Sequence, residues 1–342
     1  MKKIAKFWEK LPNGRVQCFL CPWKCVIASG RLGVCRSRKN EDGKLQTLVY
    51  GSIVSMATDP IEKKPLYHFW PGTDAFSIAA PGCNLKCLHC QNWAISQVNV
   101  EEIPHENVAP ERIIELAKRY NCQGIAHTYS EPTIWTEYMM DVGKLAHQEG
   151  LYNVYVTNGY TSLRALEEIG PYLNASNVDV KAFTDSFYQK ICGVRSIRPT
   201  LETCEWLVEH GKHLEVTYLI IPRKNDSSDE IRNFTRWVVN ELNTEVPVHF
   251  SRFYPQYKMG DRGATPVETL ERAVGIAKGE GVRYVYIGNA TGHKGDSTYC
   301  HSCGELLIER YGFEISQYTL KDNKCPKCAT KINIVGKYVS KK

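Results

Sequence analysis

The chain has 342 residues, of which 43% are apolar, and its formal net charge at pH 7 is +6. A chain of this length and composition can bury a large core in one to three domains, and a mild, dispersed charge does not argue for nucleic-acid binding. The start lacks a hydrophobic signal core, no apolar stretch approaches membrane-spanning length, and 14 cysteines are too few for a disulfide scaffold, so we expect a cytoplasmic protein with metal-type cysteine groups.

The first cysteine group lies near the N-terminus. Cys18, Cys21, Cys25 and Cys35 follow the spacing C-x2-C-x3-C-x9-C. Four thiolates make a closed site, and this spacing suits zinc and an iron–sulfur cluster about equally well. We therefore expect a metal-binding segment over residues 1–50, followed by a connecting segment over residues 51–74.

The second cysteine group begins where an apolar run over residues 75–80 enters a Pro-Gly turn. Cys83, Cys87 and Cys90 follow with the spacing C-x3-C-x2-C, and no fourth cysteine lies nearby. A cubane cluster held by three thiolates leaves one iron open to a chelating substrate or cofactor. An incomplete zinc site is the alternative, although zinc sites favour paired spacing and a fourth ligand.

This triplet, with the imidazole of His89 before its last cysteine, resembles the signature of the radical S-adenosylmethionine (SAM) enzymes. The resemblance implies a redox-active 4Fe–4S cluster whose open iron chelates the amino and carboxylate groups of SAM. It further implies one-electron cleavage of SAM to methionine and a 5′-deoxyadenosyl radical, which abstracts hydrogen from a substrate. A reductant such as ferredoxin or flavodoxin would supply the electron.

Strand-like and helix-like segments alternate through the centre of the chain. The β-rich runs cover residues 75–80, 124–128, 153–157, 177–180, 214–221, 248–253 and 282–287, and the amphipathic segments cover residues 110–120, 134–149, 163–169, 201–209, 229–242 and 267–278. This repetition predicts an α/β fold with a parallel sheet and right-handed crossovers. Seven strands fit a partial (β/α)6-type TIM barrel over residues 75–295, which the resemblance favours; a doubly wound open sheet is the competing arrangement.

Polar side chains follow successive strands, where a barrel places its active site. By resemblance to the activases of glycyl-radical enzymes, Ser130 and Glu131 would meet the amino end of SAM, Asn158 the ribose, and Asp179 with Lys181 the ribose or carboxylate. Each has a structural alternative: a helix-capping acid for Glu131, an ordinary turn for Asn158, and a buried ion pair for Asp179 and Lys181.

Strand alternation places His249 and Ser251 on one face of the sixth strand and Arg252 on the other. One of these faces points into the lumen of a barrel. His249 and Arg252 could bind an anionic substrate, but a single histidine on a strand is more often a hydrogen-bonded structural residue.

The third cysteine group closes the chain. Cys300 and Cys303 form one C-x2-C pair, Cys325 and Cys328 form another, and 21 residues separate the pairs. This pattern predicts a zinc ribbon over residues 296–342. A structural role is favoured over nucleic-acid binding, because short segments need a metal in place of a core.

The whole layout is similar to the radical SAM proteins of the AmmeMemoRadiSam system, a group related to pyruvate formate-lyase activating enzymes. The resemblance rests on the N-terminal cysteines, residues 59–69, the triplet loop and residues 129–132. It implies a radical SAM enzyme acting on an unidentified small molecule or cofactor precursor. The alternatives are a protein-directed activase or peptide-modifying enzyme, and a zinc-ribbon nucleic-acid-binding protein with a degenerate barrel.

Overall fold

An eight-stranded sheet forms the centre of the protein in the computed structural model, which describes residues 2–340. Its strands are, in chain order, Ser55–Pro60, Asp74–Ala79, Gly124–His127, Tyr152–Thr157, Ala175–Asp179, His213–Ile220, Val248–Arg252 and Val285–Gly288. Neighbours in the sheet are neighbours in the chain, and the last seven strands are parallel, as predicted. Within residues 2–340 the order never reverses, whereas a doubly wound sheet requires a reversal.

A helix lies between each pair of consecutive parallel strands. The longer helices are Pro110–Arg119, Thr136–Gln148, Leu163–Ile169, Arg198–Glu209, Ser228–Trp237 and Val267–Gly279, and shorter ones are Trp93–Ser96 and Asp185–Phe187, with π-turns at Tyr188–Cys192 and Val238–Leu242. Their starts follow ordinary capping chemistry. Pro110 opens the first of the longer helices, and the Ser227 hydroxyl accepts a hydrogen bond from the backbone amide of Glu230.

The first strand of the sheet, Ser55–Pro60, was not predicted from the sequence. It pairs antiparallel with Asp74–Ala79 along its whole length, at the edge of the sheet. Three of its six residues are polar and it ends in a proline, so neither strict alternation nor a buried run is visible in the sequence. The segment after it contains the short 3-10 helix Ile61–Lys63 and leads to the next strand, Asp74–Ala79.

The N-terminal residues form two small antiparallel sheets. One contains Lys3–Ile4, Arg38–Glu41 and Lys44–Thr47, and the other contains Trp8–Lys10, Val16–Cys18 and Val26–Ile27. A further ladder pairs Ser52–Ile53 with Glu106–Asn107. Arg38 ties this region to the central fold through a fully buried ion pair with Glu137, at 2.6 Å.

The C-terminal residues form a third small sheet, from Thr298–Tyr299, Leu306–Tyr311 and Glu314–Tyr318. The tail after it lies against the segment between the first two strands of the central sheet: the Val335 amide donates to the His68 carbonyl at 2.8 Å. Buried Arg310 donates to the carbonyl of Tyr67 at 2.9 Å. Within residues 2–340, no helix is long and apolar enough to cross a membrane.

Candidate functional site

A cavity of about 560 Å³ lies at the carboxyl ends of the parallel strands. All nine residues that the sequence predicted for the triplet and the SAM pocket line it: Cys83, Cys87, His89, Cys90, Ser130, Glu131, Asn158, Asp179 and Lys181. Parallel strands bring their carboxyl ends to one edge of a sheet, so motifs far apart in sequence meet there. The volume is typical of a site for a nucleoside-sized ligand.

The triplet loop is held by backbone hydrogen bonds rather than by a helix or strand. The amides of Lys86 and Leu88 donate to the carbonyls of Cys192 and Ile191, at 2.8 and 2.9 Å. Gly82 begins the loop with φ +103°, and a Cβ there would lie 2.9 Å from the carbonyl oxygen of Cys35. Only glycine fits this turn, because other residues would be strained and would clash.

The three sulfurs of the triplet face the cavity with donors around them. The Leu85 amide donates to Cys83 Sγ at 3.4 Å, and Ser96 Oγ lies 3.2 Å from Cys90 Sγ. A hydrogen bond with the Cys192 thiol lowers the pKa of Cys87, although burial opposes it. Three thiol groups with amide and hydroxyl donors are a suitable donor set for an iron–sulfur cluster, whose sulfur ligands accept such bonds.

His89 projects into the same cavity from within the triplet. Its side chain is buried, and burial lowers its pKa to about 3. Its ring centroid lies 6.1 Å from that of Phe187. The imidazole is therefore neutral at physiological pH, and its buried Nδ1 has no hydrogen-bond partner among residues 2–340.

Glu131 is the centre of a buried hydrogen-bond network. Its carboxylate accepts from the Thr157 hydroxyl at 2.7 Å and from the amides of Asn158 and Thr133 at 2.8 and 3.0 Å. Ser130 donates through its hydroxyl to the Ala80 carbonyl at 2.6 Å, at the start of the triplet loop. Both side chains thus join neighbouring strand ends to one another.

Asn158 links that network to the triplet. Its side-chain amide donates to Asn84 Oδ1 at 2.9 Å and lies 3.6 Å from Cys83 Sγ. Its backbone carbonyl accepts from the Thr200 hydroxyl at 3.0 Å. The side chain is therefore fixed beside the first cysteine of the triplet.

Asp179 and Lys181 form an ion pair at the end of the next strand, with 2.8 Å between Oδ2 and Nζ. Burial alone would lower the pKa of Lys181, but the Asp179 carboxylate raises it, so the ammonium stays charged. The Asp179 side chain is 37% exposed and the Lys181 side chain only 14%. Both side chains line the cavity, and that of Asp179 is the more exposed of the two.

His249 and Ser251 also line the cavity, which identifies their face of the strand Val248–Arg252 as the inner one. His249 Nε2 lies 2.6 Å from Oε2 of Glu215, a fully buried carboxylate. Glu215 also accepts from the His68 backbone amide at 2.7 Å. Arg252, on the outer face, donates to the Thr265 carbonyl at 2.8 Å and does not line the cavity.

Several residues that line the cavity were not predicted from the sequence. They are Glu62, Lys63, Pro65 and Tyr67 from the segment before the second strand, and Phe313 from the C-terminal sheet. A related buried pair lies just behind Tyr129, where Lys64 contacts Asp59 at 2.7 Å and burial lowers the lysine pKa to about 8. The charged run at residues 59–64 was visible in the sequence, but its position depends on a strand that was not.

The other two cysteine groups lie elsewhere. Cys18, Cys21, Cys25 and Cys35 line a second cavity, next to the triplet loop. Within residues 2–340, only Cys300, Cys303, Cys325 and Cys328 bring four sulfurs within 4.8 Å of one another. Such a group could hold a metal ion. Cys192 and Cys204 are fully buried outside the three groups.

Comparisons with known proteins relate the chain to one enzyme family. The family described as the Radical SAM superfamily matches residues 77–237. An uncharacterized protein of Methanocaldococcus jannaschii is 47% identical over 333 residues, which cover 97% of this chain and 99% of that protein. The pyruvate formate-lyase-activating enzyme of Clostridium pasteurianum is 24% identical over 208 residues, covering 56% of this chain and 84% of that enzyme. Among solved structures, a radical SAM methyltransferase from Sphaerobacter thermophilus is similar with a TM-score of 0.49 and 16% identity, covering 68% of this chain and 70% of that one.

Proposed function

The chain belongs to the radical SAM superfamily, a family of enzymes, and we propose that it reductively cleaves SAM and abstracts hydrogen from a small-molecule or cofactor-precursor substrate. The family implies a 4Fe–4S cluster and SAM as cofactors. One observation carries the proposal: the cysteine triplet and the polar ends of three successive strands line a single cavity of about 560 Å³.

Cys83, Cys87 and Cys90 would hold the cluster, which when bound supplies the electron that breaks a carbon–sulfur bond of SAM. The protein's part is to orient these thiolates and exclude water. The Leu85 amide would stabilise the charge on Cys83, and the buried ring of His89 lines the same cavity.

Asp179 and Lys181 are proposed to contact SAM directly. The exposed carboxylate of Asp179 can accept from the ribose hydroxyls, and Lys181 balances its charge or meets the SAM carboxylate. Asn158, fixed beside Cys83, is proposed to contact the ribose. The hydrogen bonds that already occupy Ser130 and Glu131 support a positioning role near the amino end of SAM.

The substrate is proposed to bind on the side of His249, away from the triplet. Glu215 orients the imidazole through a 2.6 Å contact, so His249 can present its other nitrogen to a polar or anionic group of the substrate. Phe313, in the turn between the last two strands of the C-terminal sheet, also lines the cavity. The cavity volume of about 560 Å³ supports a small-molecule substrate.

The finer architecture belongs to the same proposal. The unreversed strand order supports a partial barrel over residues 75–295, and the four converging sulfurs support a zinc ribbon over residues 296–342. Residues 1–50 would be the N-terminal metal-binding segment and residues 51–74 the connection to the barrel. The reductant would be a ferredoxin or flavodoxin.

An activase role is the second candidate, because the similarity to the Clostridium pasteurianum pyruvate formate-lyase-activating enzyme extends over 84% of that enzyme. An activase would abstract hydrogen from a protein backbone. The two candidates differ in the size of the molecule that exchanges hydrogen with SAM.

Anaerobic incubation with SAM, dithionite and a fractionated cell extract tests the proposal. We expect 5′-deoxyadenosine and methionine, and deuterium transfer from a labelled extract into 5′-deoxyadenosine that follows a low-molecular-mass fraction. Cys83→Ala should abolish both, whereas Cys204→Ala, which changes a buried cysteine outside the cavity, should retain them. Transfer only from the protein fraction would favour the activase, and no cleavage of SAM would refute both.

A further inference from the structure

The cavity beside the triplet loop contains the four N-terminal sulfurs. We propose that Cys18, Cys21, Cys25 and Cys35 hold a second iron–sulfur cluster, of the 4Fe–4S type, rather than a zinc ion. The spacing in the sequence suits both metals. The positions of the sulfurs distinguish them.

The C-terminal cysteine group shows the sulfur–sulfur distances that a site for a single metal ion has in this protein. Cys300 and Cys328 have their sulfurs 3.5 Å apart, and those of Cys303 and Cys325 are 3.7 Å apart. Four thiolates at 2.3 Å from a tetrahedral zinc ion are separated by about 3.8 Å, from simple geometry. This group therefore has the dimensions of a site for one metal ion.

The N-terminal group has different dimensions. Although its four cysteines line one cavity, no three of their sulfurs lie within 4.8 Å of one another in the part of the chain that the structure describes. The same holds for Cys83, Cys87 and Cys90. In a cubane cluster each thiolate binds a different iron at a separate corner, so its sulfurs stand further apart than around one ion. In lacking three sulfurs within 4.8 Å, the N-terminal group resembles the triplet and differs from the C-terminal group.

The lining of the cavity suits a buried anionic cluster. Leu20, Ile27 and Ile134 provide apolar walls. Arg38 also lines the cavity and places a cationic side chain beside the cysteines. Nearby charge and apolar surroundings are features by which proteins stabilise and tune iron–sulfur clusters.

Arg38 gives independent evidence for an acceptor in this cavity. It is 1% exposed, and its terminal nitrogen is paired with Glu137. Its Nε makes no hydrogen bond with any of residues 2–340, although the side chain lines the cavity. A buried N–H group without a partner is costly, and a cluster sulfide or thiolate in the cavity would accept from it.

The two cysteine groups share a wall, so their iron must be counted separately. Trp23 Nε1 donates to the Asn84 carbonyl at 2.8 Å, and Asn84 follows the first cysteine of the triplet. We therefore test the N-terminal site in the full chain carrying Cys83→Ala, Cys87→Ala and Cys90→Ala. This variant lacks the ligands of the proposed catalytic cluster, so the outcome does not depend on the proposed function.

We expect this triple variant, purified anaerobically, to retain about four iron and four sulfide per chain and to give a cluster signal by electron paramagnetic resonance after dithionite reduction. In a second variant, Cys21→Ala with Cys25→Ala and an intact triplet, iron should fall from about eight to about four per chain with zinc unchanged. Retained zinc in the second variant also reports a folded C-terminal region. Zinc without iron in the triple variant, no metal there, or unchanged iron in the second variant would overturn the inference.

Discussion

The backbone amide of Asn158 donates to the buried carboxylate of Glu131 at 2.8 Å. This hydrogen bond joins the loops that follow two neighbouring strands, Gly124–His127 and Tyr152–Thr157. Burial raises the pKa of Glu131, while three donors lower it. Glu131→Gln replaces one carboxylate oxygen with an NH₂ group, which would face the donors from Thr133, Thr157 and Asn158. We expect a loss of about 1–3 kcal/mol in the free energy of unfolding and a lower rate of 5′-deoxyadenosine formation.

Glu209→Gln, at an exposed position, is the matched control and should change the free energy of unfolding by less than about 0.5 kcal/mol. Urea denaturation and product chromatography measure the two effects. Equal stability of the Glu131 and Glu209 variants would show that the network around Glu131 does not support the site.

Asp179→Asn separates direct SAM contact from a purely structural ion pair. Because the Lys181 side chain is only 14% exposed, removing its carboxylate partner should also lower the melting temperature. We expect SAM binding to weaken by about tenfold, equivalent to about 1.4 kcal/mol. Equilibrium binding and the melting temperature are measured together, with Asp229→Asn, 93% exposed on the surface, as the control. Unchanged SAM affinity with a lower melting temperature would remove Asp179 from the site.

The sequence predicts the parallel strands and the cavity residues on them because these depend on local pattern. Each strand is a short apolar run, and the polar residue at its end follows directly, as Asn158 follows Tyr152–Thr157. Phe313 could not be predicted in this way, since its place in the cavity lining depends on how the C-terminal sheet packs against the rest of the fold. The position of Lys64 was not predicted either, because the strand before it, Ser55–Pro60, is half polar and lies at an edge of the sheet.

His68 should make stability depend on pH. It is buried, its Nδ1 donates to the Asn333 carbonyl at 2.7 Å, and burial lowers its pKa to about 4. The unfolded imidazole takes up a proton near pH 6.5, and the folded one only near pH 4, so the stability is present above pH 6.5 and is lost as pH falls toward 4.

Between pH 7.5 and pH 5 His68 should account for about 2 kcal/mol of the lost stability, so the loss should be smaller by about that amount in His68→Gln. A remaining loss is expected in that variant, because burial also lowers the pKa values of His89 and His127 to about 3. Urea denaturation of the metal-loaded protein at both pH values measures the difference. His147→Gln, at an exposed position, should keep the full pH dependence. The same slope in the His68 variant would contradict a buried neutral imidazole.

Cys325→Ala tests the C-terminal metal site. Its sulfur lies 3.7 Å from that of Cys303, and losing one of four ligands should release the proposed zinc. Residues after about 296 should then become sensitive to protease, because isolated zinc modules gain on the order of 10 kcal/mol from the metal. Cys204→Ala should retain both zinc and protection. Unchanged zinc content in the Cys325 variant would rule out the proposed ligand set.

The central claim is that Cys83, Cys87 and Cys90 hold a cluster with one iron open to SAM. The most direct measurement is the electron paramagnetic resonance spectrum of the dithionite-reduced protein, recorded with and without SAM in a Cys21→Ala, Cys25→Ala background. This background removes the proposed second cluster and leaves the triplet intact. We expect a 4Fe–4S signal that changes on addition of SAM and disappears when Cys83→Ala is added. A signal that does not change when SAM is added would contradict the assignment, and so would a signal that still responds to SAM in the Cys83→Ala variant.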